Sequence, residues 1–270
     1  MHRVPIAEGH LAYDDVGEGP AVLLLHDGTL DRRVWEPQSH AFPGYRILTL
    51  DARGHGQSST PTTPYLRGDD IIALLDHLDL PDAYLVGQSM GGTSALDTAM
   101  DHPERVAGLV VSGCGTSEQY WRSSFVVDLL KEQMEHAFRR DTEGYVETFL
   151  RLWVDGPRRA PHEVDPSVRE RCREMAMHTA LAHARPDPVF PGKAADTWDR
   201  LADIEAPLLG IVGELDCDDI HEMVGRVVSG VPNGALEVFE GAGHMVNLEQ
   251  PQRFTATVRR FLDQLSDGRR

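Results

Sequence analysis

Ala83-Tyr84-Leu85-Val86-Gly87-Gln88-Ser89-Met90-Gly91-Gly92-Thr93-Ser94-Ala95-Leu96 is the stretch whose reading decides the fold. Residues 83–86 form an apolar run of the kind found in buried strands, and residues 93–100 read as a helix. Between them stands a serine with glycine two residues away on each side, the G-x-S-x-G pattern of a sharp strand-to-helix corner. Such a corner holds the serine in a strained backbone conformation. A Cβ at either flanking position would collide as strand and helix close together. So short a pattern also recurs by chance, and its weight depends on what the rest of the chain supplies.

Working outward, further apolar runs have the look of strands buried on both faces: residues 21–25, 46–50, 106–111 and 208–212, with 236–239 as the last. Residues 4–7 and 11–16 read as short antiparallel strands. Helical spacing appears at Ile71, Leu74, Leu75 and Leu78, across residues 90–101 and 219–229, and across 250–265, where Pro251 suits a first turn. Alternation of strand and helix from about residue 21 implies a mostly parallel sheet covered on both faces. One interval breaks the rhythm, because nearly a hundred residues separate the strands ending at Val111 and beginning at Leu208. A crossover needs only about a dozen residues and a helix. The interval carries helical patterns of its own: Val127, Leu130, Met134 and Phe138; Tyr145, Val146, Phe149, Leu150 and Trp153; and, opened by Asp165-Pro166, Val168, Cys172, Met175 and Thr179. It reads as a helical lid inserted between strands six and seven. The expected division is a core of residues 1–112 and 204–270 and a cap of residues 113–203.

Ligands of open parallel sheets bind beyond the carboxyl ends of the strands. Just past those ends lie His26-Asp27-Gly28, Asp51-Ala52-Arg53-Gly54-His55-Gly56-Gln57-Ser58, Ser89, Gly213-Glu214-Leu215-Asp216, and Gly241-Ala242-Gly243-His244. Serine, acid and histidine therefore follow in the order Ser89, Asp216, His244, which is the triad order of one particular fold. Jointly these motifs identify the chain as resembling the α/β-hydrolase superfamily, over nearly its whole length. The run His26…Trp35-Glu36-Pro37-Gln38, with Asp51-x-Arg53-Gly54, is similar to the 3-oxoadipate enol-lactonase-like carboxylesterases and lactonases. The resemblance implies an α/β-hydrolase fold, a mostly parallel eight-stranded sheet with helices on both faces.

The residue types carry the chemistry. Ser89 becomes a nucleophile when a base takes its proton. His244, titrating near neutrality, accepts that proton and returns it to the leaving group. Asp216 holds the imidazole in the required tautomer; Asp218 and Asp219 compete for that role, although Asp219 also reads as a helix N-cap. The Met90 N–H, at a helix N-terminus, is one oxyanion donor. By analogy with the family, the Gly28 N–H is the second. His26 and His55 read as braces of their loops. Asp27 departs from the family pattern, where a small uncharged residue is usual, and is expected to point away from the site or to pair with Arg32 or Arg33. Tyr120, Trp121, Phe149, Trp153 and Met175 in the lid, and Met245 beside the histidine, are candidates for the pocket wall.

The reading is therefore a serine hydrolase cleaving a carboxylic ester, lactone or thioester of a small, largely apolar substrate through an acyl-enzyme, with no cofactor. Two alternatives stand beside it: a non-hydrolytic, cyclising, C–C-cleaving or perhydrolytic enzyme on the same fold, and a ligand receptor with residual hydrolysis. An aspartate nucleophile is disfavoured because Ser89 fills that position. Composition narrows the partners. The formal charge of −17 argues against nucleic acid and anionic membrane surfaces. No apolar run reaches about 18 residues, and residues 1–5 lack the apolar stretch of a signal peptide. Cys114, Cys172 and Cys217 fit reduced thiols in a cytoplasmic protein. The remaining histidines, His178 and His183 among them, form no metal-ligand spacing with carboxylates or cysteines, and no lysine-bearing phosphate loop is present. Oligomeric state is left open.

Overall fold

The computed structural model describes residues 1–183 and 189–268. Its strands are β1 (His2–Ile6), β2 (Gly9–Val16), β3 (Ala21–Leu25), β4 (Arg46–Leu50), β5 (Ala83–Gln88), β6 (Val106–Ser112), β7 (Leu208–Gly213) and β8 (Gly234–Phe239). They form one eight-stranded sheet in the order β1-β2-β4-β3-β5-β6-β7-β8. β1 pairs with β2, and β2 with β4, antiparallel; every pairing from β4 to β8 is parallel. The chain thus has the α/β-hydrolase architecture that its sequence predicts.

Side chains of β3 show why the central strands lack polar residues. Val22 and Leu24 enter one core with Trp35, Phe239 and Phe254, whereas Leu23 and Leu25 enter the other. The second core is closed by Ile71, Leu74 and Leu75 of helix α1 (Arg67–His77) and by Ala95, Leu96 and Ala99 of α2 (Met90–Asp101). Alternate residues of a strand face opposite sides, so a strand covered twice must be apolar throughout. Edge strand β8 lacks that double cover and leaves Leu236 and Val238 exposed.

Between β6 and β7 stand α3 (Ser124–Arg139), α4 (Thr142–Phe149), a π-helical turn at Leu150–Asp155, and α5 (Pro166–His183). Residues 184–188 of the expected cap lie outside the described residues. Asp165 accepts the Ser167 N–H at 2.8 Å, so the Asp-Pro signal does open α5, and Val168, Cys172, Met175 and Thr179 are buried together. On α3 the outcome differs from the spacing. Val126 and Gln133 are the buried positions, while Met134 is 59% and Phe138 83% exposed. The apolar packing of α3 comes from its first half, through Phe125, Val126, Leu129 and Leu130 with Leu152 and Met223. Periodicity marks an apolar face but does not say that the same chain covers it.

Helix α6 (Asp218–Gly230) follows β7, and α7 (Val246–Glu249) and α8 (Pro251–Gly268) follow β8. Asp219 does not cap α6. Its Oδ2 accepts the Arg122 and Ser123 N–H groups at 3.1 and 3.0 Å, tying the entry of α3 to the sheet domain.

Candidate active site

Ser89 stands at the turn from β5 into α2 with φ 50° and ψ −113°, a conformation costing on the order of 1–3 kcal/mol unless its surroundings impose it. They do so through close packing. A Cβ on Gly87 would lie 2.3 Å from the Gly91 carbonyl carbon, and one on Gly91 would lie 2.2 Å from the Leu25 oxygen of β3. The Ser89 N–H is held by the Ser112 oxygen at 2.8 Å. The expected corner is present, with the serine raised at its tip.

From the far side of the sheet the loop after β8 brings His244 in. β7 and this loop approach so closely that a Cβ on Gly213 would lie 2.0 Å from the Gly243 oxygen. Gln88 donates to the His244 carbonyl at 2.8 Å, and the Gly243 N–H donates to Glu249 at 3.1 Å. Glu249 is paired at 2.5 Å with Arg159 of the inserted segment, and both side chains are almost fully buried. His244 Nδ1 lies 2.7 Å from Asp216 Oδ2, while Asp216 Oδ1 accepts the Cys217 N–H. Asp216 is therefore the acid joined to the imidazole. Asp218 is exposed and paired with Arg158, and Asp219 is spent on α3. Burial opposes the imidazolium form of His244, but the charge and hydrogen bond of Asp216 outweigh it and raise the histidine above its ordinary value. The Nε2 atom has no hydrogen-bond partner among the described residues, and it is buried.

The position of Asp27 corrects the expectation that it points away or pairs with Arg32 or Arg33. Arg32 is engaged by Asp14 and Asp51, and Arg33 by Asp31. Asp27 instead turns inward, only 3% exposed, with Oδ1 accepting the Thr29 N–H at 2.9 Å and Oδ2 3.9 Å from His244 Nε2. The Ser89 hydroxyl faces the same carboxyl. Burial pushes the Asp27 carboxyl above the usual range; His244, the Thr29 N–H and Ser89 offset this only in part. The turn chemistry explains the orientation. An aspartate that accepts the N–H two residues on folds its side chain back over its own loop, and this loop faces the serine.

His26 and His55 brace that loop. His26 Nδ1 donates to the Asp27 oxygen at 2.6 Å, while its Nε2 accepts the Ala52 N–H at 3.0 Å. His55 spans the Gly28 and Arg53 carbonyl oxygens at 2.8 and 2.9 Å, of which a neutral ring donates to one. Burial lowers both histidines to about 4, so both rings are neutral near pH 7. Gly28 is seated against the start of α2, a Cβ there being 3.5 Å from Met90 Cβ. The two expected oxyanion donors are thus neighbours.

The wall candidates divide. The Trp153 ring, carried by the π-turn, packs on His244 with centroids 4.8 Å apart, and Trp121 packs behind it at 5.5 Å. Phe149, Met175 and Met245 are buried in the core shared by the sheet and the inserted helices. Tyr120 is turned to Trp198, its hydroxyl bonded to Glu222. Sequence reasoning missed Tyr145, whose hydroxyl reaches Thr29 beside Asp27. The available signal was its place on the buried face of α4, one helical turn before Phe149. Cys114, Cys172 and Cys217 are all buried free thiols. Among the described residues no His, Cys, Asp and Glu group could hold a metal ion, and no helix is long and apolar enough to cross a membrane.

This geometry coincides with what the chain resembles. The alpha/beta hydrolase family model matches residues 22–257. The chain belongs to the α/β-hydrolase family. Among relatives in the family, 3-oxoadipate enol-lactonase 2 of Acinetobacter baylyi is 31% identical, aligned over 88% of this chain and 87% of its own. The 2-hydroxy-6-oxononadienedioate/2-hydroxy-6-oxononatrienedioate hydrolase of Burkholderia vietnamiensis is 29% identical over 93% and 90%. A solved structure described as Est816, an N-acyl homoserine lactone degrading enzyme, has a TM-score of 0.78 at 28% identity, covering 96% of this chain and all of that one.

Proposed function

We propose that the chain is a serine hydrolase acting on the ester bond of a carboxylic ester, lactone or thioester of a small, largely apolar substrate, through an acyl-enzyme on Ser89. The observation that carries this reading is the strained Ser89 corner together with a buried His244 whose Nδ1 is 2.7 Å from Asp216. Ser89 Oγ attacks the carbonyl carbon as its proton passes to His244 Nε2, and Asp216 stabilises the cation that forms. The Met90 and Gly28 N–H groups receive the oxyanion. His244 then gives the proton to the leaving group, and water repeats the sequence on the acyl-enzyme. The segment of α3 to α5 acts as a cap, and the Trp153 ring over His244 supplies an apolar wall for the acyl or alcohol part. Family membership and the names of the lactone-cleaving relatives support hydrolysis. The C–C-cleaving alternative draws its support from the relative named as a dienedioate hydrolase.

A panel of p-nitrophenyl esters of increasing acyl length, run beside simple lactones, tests the reading. Turnover on short esters or lactones is expected, with rates falling as the acyl chain outgrows a closed pocket. Absence of turnover on every member would contradict it. Within that assay Asp216→Asn is expected to lower kcat on the order of 10⁴-fold, because an amide at that place favours the wrong imidazole tautomer. A loss below tenfold would remove Asp216 from the role.

A further inference from the structure

Asp27 places a carboxyl group where neither an ordinary oxyanion site nor the triad needs one. It is buried, it faces the Ser89 hydroxyl, and its Oδ2 is 3.9 Å from the unpartnered Nε2 of His244. Ionised, it would repel the oxyanion that Ser89 must create, and it would hold the Ser89 proton away from His244. We propose that Asp27 is a second acid–base group of this site: in the reactive form the Asp27–His244 pair holds one proton, carried on the Asp27 carboxyl, which donates a hydrogen bond to the substrate oxygen as Ser89 attacks. The proposal rests on the serine-hydrolase reading above.

The surroundings fit a neutral acid. The Thr29 N–H on its own loop donates to Asp27, and Ser89 at the elbow, His244 after β8, Tyr145 of α4 and Cys172 of α5 lie within electrostatic reach of its carboxyl. No arginine or lysine pairs with it among the described residues, and burial favours its protonated form. Cys172 is itself held as the neutral thiol, its pKa raised first by burial and then by Asp27. His244 is faced by Asp216, Asp27 and Glu249, all acidic, and the Glu249 charge is already met by Arg159. During attack the Ser89 Oγ–carbon bond forms, the carbonyl π pair moves onto oxygen, and the serine proton goes to His244 Nε2. The Asp27 proton stays on its carboxyl, shared with the new oxyanion. A protonated aspartate held in an apolar site serves the same purpose in ketosteroid isomerase.

Three charge states then have different activity. With two protons on the pair, His244 cannot act as base; with none, the Asp27 carboxylate opposes the oxyanion; with one, attack proceeds. The dependence is bell-shaped, and its two limbs belong to the pair rather than to either residue. The test is the rate at which a fluorophosphonate probe labels Ser89 in the full chain, measured from about pH 4 to about pH 10. A bell is expected for the natural chain. Asp27→Asn keeps an acceptor for the Thr29 N–H and an amide donor for the oxyanion but cannot ionise, so its falling limb is expected to vanish. The variant should therefore overtake the natural chain by about tenfold for each pH unit beyond the alkaline midpoint. A natural-chain rate that rises once and stays on a plateau would mean that Asp27 only shapes its loop, and would overturn the proposal. So would an Asn variant that folds and keeps the falling limb. No labelling of the natural chain at any pH overturns the serine-hydrolase reading and this proposal together. A plateau overturns this one alone.

Discussion

Replacing Ser89 by alanine is expected to lower kcat for ester hydrolysis by on the order of 10⁶-fold, with the folded state intact. The two halves of that expectation have separate causes. Chemically, nothing else at the corner carries a nucleophile. The nearest hydroxyl-bearing residues of α2, Thr93 and Ser94, are bonded to the Gly115 and Met90 carbonyl oxygens. Structurally, the Ser89 side chain makes no cap hydrogen bond to α2, and alanine bears the positive φ of 50° with the same Cβ strain that serine already bears. Thermal unfolding should shift by no more than a few degrees, as for a loss within about 1 kcal/mol. Steady-state kinetics on the best ester of the panel checks the first half and a melting curve the second. A variant keeping a tenth of the natural rate would mean that the reaction bypasses Ser89.

The second large effect falls on stability. Gly91→Ala is expected to cost more than about 4 kcal/mol, at the far end of the range for single substitutions. Its new Cβ would stand 2.2 Å from the Leu25 oxygen and 2.4 Å from the Leu25 carbonyl carbon, both backbone of β3 at the centre of the sheet. A flexible side chain could swing aside, but β3 is paired on both edges, with β4 and β5, and cannot. Gly225→Ala provides the contrast. It lies inside α6 with nothing among the described residues, its own helix backbone aside, within 4 Å of its Cβ position, so removal of glycine's extra chain entropy should stabilise by about 0.5–1 kcal/mol. Urea unfolding of the two variants measures both signs. Equal stability of Gly91→Ala and the natural chain would contradict the close-packed corner.

Much of this is legible in the sequence, for physical reasons that differ by residue. β3, β5, β6 and β7 are covered on both faces, so their sequences are continuous apolar runs. Gly87 and Gly91 flank Ser89 because backbone from the opposite element occupies the place of a Cβ. Asp165-Pro166 announces α5 because capping and ring geometry are local. What misled was decided at a distance. The stripe on α3 has helical spacing, yet Met134 and Phe138 meet no neighbour among the described residues that buries them. Asp219 looks like the cap of its own helix, but the N–H groups at the entry of α3, nearly a hundred residues earlier, take its carboxylate. From the sequence, Asp27 is expected to point away from the site or to pair with Arg32 or Arg33. Arg32 and Arg33 were already taken by Asp14, Asp51 and Asp31, and the turn to Thr29 directed the carboxyl inward. Competition among partners for one charge is a tertiary property, and a sequence pattern does not rank it.

The central claim is that Ser89, activated by His244 and Asp216, is the residue that becomes covalently modified. Peptide mapping by mass spectrometry after brief exposure of the folded full-length chain to a fluorophosphonate tests it most directly. The expected result is a single adduct on Ser89 within the peptide spanning the β5–α2 corner, absent after heat denaturation and absent in Ser89→Ala. An unmodified Ser89 in folded protein, or an adduct on another residue that survives Ser89→Ala, would contradict the account.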